Sequence, residues 1–146
     1  MASSEFRSLS DVPDALLLSC TKRIWEYTIG FVRVRLEGKT EVADLLGSGV
    51  LVRAGKSNAI LTADHVLSVL PKSGRLGLIL SDKEERTTID VSGIEAFSIE
   101  RGKLPELGPD IGAVLLSPPV ASSLQARKSF YNLDLRKERM LSNPPR

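Results

Sequence analysis

The chain has 146 residues, 42% hydrophobic and 26% charged, with a net charge of +2, the length and balance of one ordinary globular domain. Aromatics make up only 5%, so the core is expected to be aliphatic and no interleaved aromatic platform for nucleic acid is present. A single cysteine, Cys20, excludes an intrachain disulfide and the disulfide-stapled secreted class; no apolar run reaches bilayer length, no basic-then-apolar leader opens the chain, and the expected compartment is cytoplasmic.

Residues 1–14 are Ser-rich and polar and read as a disordered leader, with Asp11 placed to cap a short helix that carries Pro13 in its first turn and runs to Arg23. From Trp25 to Leu36 the residues alternate, Tyr27, Ile29 and Phe31 on one face and then, after a phase slip, Val32, Val34 and Leu36, which predicts a strand with a bulge. Glu37-Gly38-Lys39 turns the chain into a second strand, Val42 to Arg53, and Gly55-Lys56-Ser57-Asn58 turns it again into a third, Ala59 to Thr62. A helical turn from Val66 to Leu70 stops at Pro71. Further strands are expected at Arg75–Ser81, Thr87–Val91, Ile94–Ile99 and, after a Gly- and Pro-rich loop, Ile111–Leu116 opened by Asp110.

Six or seven short strands with little helix predict an all-β fold, an antiparallel barrel with short terminal helices over residues 15–119. Beyond Pro119 a helix fits Val120–Lys128, and residues 120–146 read as a linker or tail toward a missing second barrel. The basic excess is terminal: residues 127–146 hold Arg127, Lys128, Arg136, Lys137, Arg139 and Arg146 against Asp134 and Glu138. A solvated helix face accounts for it, so neither nucleic acid nor membrane is expected as a partner.

Chemistry concentrates at His65, the only histidine, which follows Gly47-Ser48-Gly49-Val50-Leu51-Val52 and ends Leu61-Thr62-Ala63-Asp64-His65. A lone histidine at a strand end is most often structural. A catalytic one needs a carboxylate to hold its tautomer and a nucleophile at its other nitrogen. Asp110 is the best carboxylate, at the mouth of an apolar strand where a loop meets the core and where a charged group needs a partner. Cys20 as the nucleophile is the weaker alternative, because its Leu-Leu-Leu-Ser-Cys setting suggests an inert packed thiol. One histidine and one cysteine make a poor start to a metal site, and Gly47-Ser48-Gly49 is followed by a strand rather than a helix, which argues against a phosphate cradle. No cofactor and no metal are expected.

Gly47-Ser48-Gly49-Val50-Leu51-Val52, Leu61-Thr62-Ala63-Asp64-His65-Val66 and Asp110-Ile111-Gly112-Ala113-Val114-Leu115 together resemble the amino-terminal barrel of trypsin-like serine peptidases, particularly their bacterial intracellular, Htr-like branch. The order histidine then aspartate fits that family. Gly112 stands where the family usually has Ala. The resemblance, over about residues 25–120, implies one half of a double-barrel fold, with His65 as general base and Asp110 as its orienter. It also implies a serine in a Gly-x-Ser-Gly turn, and none follows Asp110: Ser117, Ser122, Ser123, Ser129 and Ser142 lack flanking glycines, and Gly112 is the last glycine. The expectation is therefore a truncated serine peptidase domain, inactive alone, acting on peptide or protein substrate only when a second barrel, a further copy or a partner chain completes it. The alternative is a non-catalytic β-barrel interaction module derived from a peptidase.

Overall fold

The alternating segments of the sequence form strands, and the strands curl. The computed structural model describes residues 8–81, 83, 85–101 and 109–144, with backbone alone at 100 and 101. Strands β1 (Thr28–Glu37) and β2 (Thr40–Ala54) make a long antiparallel hairpin. Its register slips between Phe31 and Val32, where the sequence pattern changes phase. The slip lets β1 present Ile29 and Phe31 and then Val32 as buried residues.

Strand β3 (Ser57–Thr62) pairs with β2, β4 (Arg75–Ile79) with β1, β5 (Arg86–Asp90) with β4, and β6 (Ile94–Arg101) with β7 (Asp110–Leu116), which lies against β3. The order is β5-β4-β1-β2-β3-β7-β6, every pair antiparallel, and the two-residue β8 (Tyr131–Asn132) runs parallel beside Val52 and Arg53 of β2. Strands β5 and β6 stand at opposite ends of this path, yet only the single 3-10 turn Val91–Gly93 joins them. Seven strands laid flat would separate the two edges by about 29 Å. The link from Asp90 to Ile94 spans at most about 14 Å. The sheet must therefore curl, and a mostly antiparallel, barrel-like fold results. The turn is pinned at both ends, the Val91 amide donating to the Gly74 carbonyl at 2.8 Å and the Ser117 amide to the Gly93 carbonyl at 2.9 Å.

Inside the curl, Leu51, Ile60 and Val114 meet side by side across β2, β3 and β7, and Ile29, Phe31, Leu76, Leu78 and Leu124 fill the remaining space. This aliphatic core is what the composition predicts. Leu124 comes from α3 (Pro118–Gln125), which opens with Pro118 and Pro119 and buries Ala121 and Leu124 in the core. The sequence places these residues in a linker over 120–146; the part through Lys128 packs on the barrel, and the rest includes β8 and the exposed α4 (Leu133–Ser142). Asn132 caps α4 by accepting from the Asp134 and Leu135 amides at 3.0 and 3.1 Å.

The amino-terminal helix differs from expectation. Helix α1 runs Asp14–Tyr27 and takes in Trp25–Tyr27, which the alternation assigns to the first strand. The reason is distant in sequence: the ammonium of Lys128 donates to the Trp25 carbonyl and the Ser129 amide donates to the Glu26 carbonyl at 2.8 Å, so the last turn of α1 finds its acceptors' partners more than a hundred residues away. Of the leader expected over 1–14, residues 1–7 lie outside the described residues; Ser8 caps the 3-10 turn Leu9–Asp11, and Pro13 precedes α1.

Leu124→Ala is expected to lower the unfolding free energy by about 2–5 kcal/mol, read as a fall in urea midpoint at unchanged slope. A change under about 0.5 kcal/mol, the size of a surface substitution, would set α3 outside the cooperative unit.

Candidate active site

Strand β3 ends at Thr62, whose hydroxyl donates to the Ser48 carbonyl at 2.7 Å and ties the strand end to the Gly-Ser-Gly segment of β2. The chain then enters a single helical turn, α2 (Asp64–Leu67). The turn starts earlier than Val66, where the sequence places it, because Asp64 and His65 belong to it. A glycine makes room for its third residue: a Cβ on Gly47 would lie 2.8 Å from both methyls of Val66, the buried residue of α2. Gly47 thus serves the packing of Val66.

The residue before α2, Ala63, offers no side chain to its first amides. Asp110, the first residue of β7, supplies the missing acceptor from across the sheet. Its Oδ1 accepts from the His65 amide at 3.0 Å, and the Asp64 amide also donates to the carboxylate. Its Oδ2 accepts from His65 Nδ1. One carboxylate therefore caps the turn and holds the ring. The far side of the turn is fixed by the Ser68 hydroxyl, which donates to the His65 carbonyl at 2.6 Å, and by the Arg33 guanidinium, which donates to the Val69 carbonyl at 3.1 Å.

The hydrogen bond from His65 holds the Asp110 carboxyl below the usual carboxylate range, with the amides of His65 and Asp64 adding to the effect and partial desolvation opposing it. With Nδ1–H committed to Asp110, the neutral ring carries its lone pair on Nε2. That nitrogen has no hydrogen-bond partner among the described residues, and the side chain is 74% exposed. Chemically this is an oriented proton acceptor open to solvent.

The structure thus brings together His65 and Asp110, 45 residues apart in the chain. It does not bring Cys20 to them as a packed thiol: α1 has no buried residue and Cys20 lies exposed on it. Of the later serines, Ser117 precedes α3, Ser122 and Ser123 are exposed on it, Ser129 is exposed beyond it, and the Ser142 hydroxyl donates to the Glu138 carbonyl at 2.9 Å. Among the described residues no group of three or more His, Cys, Asp or Glu gathers at one place. No helix there is long and apolar enough to cross a membrane. Sequence reasoning missed Ser68 and Arg33 as supports; a Ser three residues after a histidine carries a weak signal, and Arg33 carries none. No protein-family model, no curated protein and no solved structure matches the chain.

Because the folded state holds the Asp110 carboxyl below its unfolded value, the stability it contributes is present above the unfolded pKa of about 3.9 and is lost as pH falls through the lower folded value. The stability difference between the native chain and Asp110→Asn is accordingly expected to be full above the unfolded value and to shrink as pH falls below about 4, measured by urea unfolding at stepped pH. A difference independent of pH across that window would contradict the assignment.

Proposed function

We propose that these residues form the amino-terminal barrel of a trypsin-like serine peptidase, presenting His65 as general base and Asp110 as its orienter to a nucleophile supplied by a second barrel. The observation that supports this best is the pair itself: an aspartate at the start of a strand fixes Nδ1 of a histidine that precedes it in the chain, and Nε2 is left free. In that role Nε2 takes the proton of a serine hydroxyl as it attacks a peptide carbonyl. Asp110 stabilises the imidazolium that forms, and the ring then returns the proton to the leaving amine. The oxyanion-hole amides and the specificity pocket come from the other barrel. These 146 residues contain no glycine-flanked serine after Asp110, so alone they bind and orient but do not cleave.

Exposed apolar side chains fit a chain that packs against something further: Leu16, Leu18 and Ile24 on α1, and Leu45 and Val50 on β2. A second reading, a non-catalytic barrel that keeps the pair as inherited structure, draws support from the cap that Asp110 provides, since that task needs no chemistry.

Fluorophosphonate labelling separates the two. The 146-residue chain is expected to remain unlabelled. A product extended by whatever the native transcript encodes after Arg146, or joined by its partner chain, is expected to label, and His65→Ala to abolish the labelling. A transcript that closes after Arg146 with no partner restoring labelling, or labelling that survives His65→Ala, overturns the peptidase reading.

A further inference from the structure

We infer that Gly112 is a positioning residue for the His65–Asp110 pair: it leaves bare the point of β7 over which Leu67 of α2 lies, and the absence of a side chain there lets α2 sit low enough for the hydrogen bond at Nδ1. The inference rests on the reading of His65 as a base held by Asp110, and it adds what places the base.

Asp110 and Gly112 are two residues apart on β7 and so face the same side of the sheet. Gly112 lies opposite Thr62, the last residue of β3, so α2, which begins two residues later, crosses directly over this part of β7. A Cβ at Gly112 would lie 2.4 Å from Leu67 Cδ1, 2.8 Å from Leu67 Cγ and 3.4 Å from the Cα of Asp64. The first two distances are far inside van der Waals contact. Leu67 is half-buried and packed against the barrel core, so on that side it cannot give way. The backbone at Gly112 is not in the left-handed region, so the requirement for glycine here is one of space and not of backbone conformation.

The consequence for the site follows from how short α2 is. Asp110 is fixed by the ladder of β7, while α2 is one turn held by its packing, by that carboxylate at its start and by the Arg33 bond to the Val69 carbonyl just beyond its end. A methyl at 112 pushes against Leu67 and the Asp64 backbone, and relief comes by lifting the turn. His65, between those two residues, moves away from a carboxylate that does not follow. Glycine at 112 and a leucine two residues after the histidine form a matched set.

The test reads the tautomer of the sole histidine by proton–nitrogen correlation NMR at alkaline pH, where the ring is neutral, a readout that loss of packing elsewhere in the barrel does not move. Gly112→Ala is expected to lower the ratio of Nδ1–H to Nε2–H tautomer about tenfold, the equilibrium weight of one charge-assisted hydrogen bond. Leu67→Ala alone is expected to leave the ratio as in the native chain, and Gly112→Ala/Leu67→Ala to restore it. A folded Gly112→Ala with the native ratio overturns the inference, as does a double variant that stays shifted. Should Gly112→Ala not fold, the double variant decides: folded with the native ratio it supports the pairing, and unfolded it overturns it, since relief at Leu67 would have relieved nothing. Asp110→Asn marks the underlying pair. If it leaves the ratio unchanged, the His65–Asp110 reading falls; if only fluorophosphonate labelling of the completed protein fails, the peptidase reading falls and the positioning stands.

Discussion

The carboxylate of Asp110 is the constraint on which the site depends. It accepts from two backbone amides at the start of α2 and from the imidazole that α2 carries. A single helical turn has almost no stability of its own, since nucleation fixes several residues for one hydrogen bond. With Ala63 at its amino end this turn also lacks a local cap. The acceptor from β7 solves both problems. The orientation of His65 is thus a by-product of satisfying orphan amides, and the two roles cannot be separated by removing the carboxylate.

What puts that carboxylate in reach is the curl of the sheet. Strands β3 and β7 are neighbours although some fifty residues separate them, because β4, β5 and β6 travel round the barrel before β7 returns beside β3. The covalent shortness of the Val91–Gly93 link between the two edge strands enforces this route. Core residues from three strands, Leu51, Ile60 and Val114, then lock the β2–β3–β7 register, and the register fixes Gly112 opposite Thr62. Packing in the interior therefore determines geometry at the rim.

Much of this was legible in the residues. Period-two alternation located the strands, and the phase change after Phe31 located the irregularity in β1. Asp110 was legible as a carboxylate in need of a partner. The misreading of the first strand's start comes from contacts between segments remote in sequence. Trp25–Tyr27 alternate with the strand that follows, yet Lys128 and Ser129 hold them in helix. Lys128 is itself 8% exposed, donates also to the Leu80 carbonyl at 2.9 Å and lies over the Trp25 ring at 5.4 Å; burial pushes its pKa down while Glu26 and Glu85 oppose the shift. A basic residue near a charged tail gives no hint of such a place. Cys20 failed in the opposite sense: an apolar run implied burial, but α1 rests on the barrel by its end and leaves that face in solvent.

The division of labour within the pair bears on what the chain does. Asp110 has a structural reason to be present whether or not chemistry occurs, because without it the first amides of α2 go unpaired. His65 has no comparable reason. Its amide would be capped whatever its side chain, its carbonyl is bound by Ser68 irrespective of the ring, and the imidazole fills no cavity. The imidazole is largely exposed, and the charged acceptor fixes its orientation. Of the two nitrogens, Nδ1 is already engaged. The functional question is thereby reduced to one atom, Nε2, and to what is brought against it.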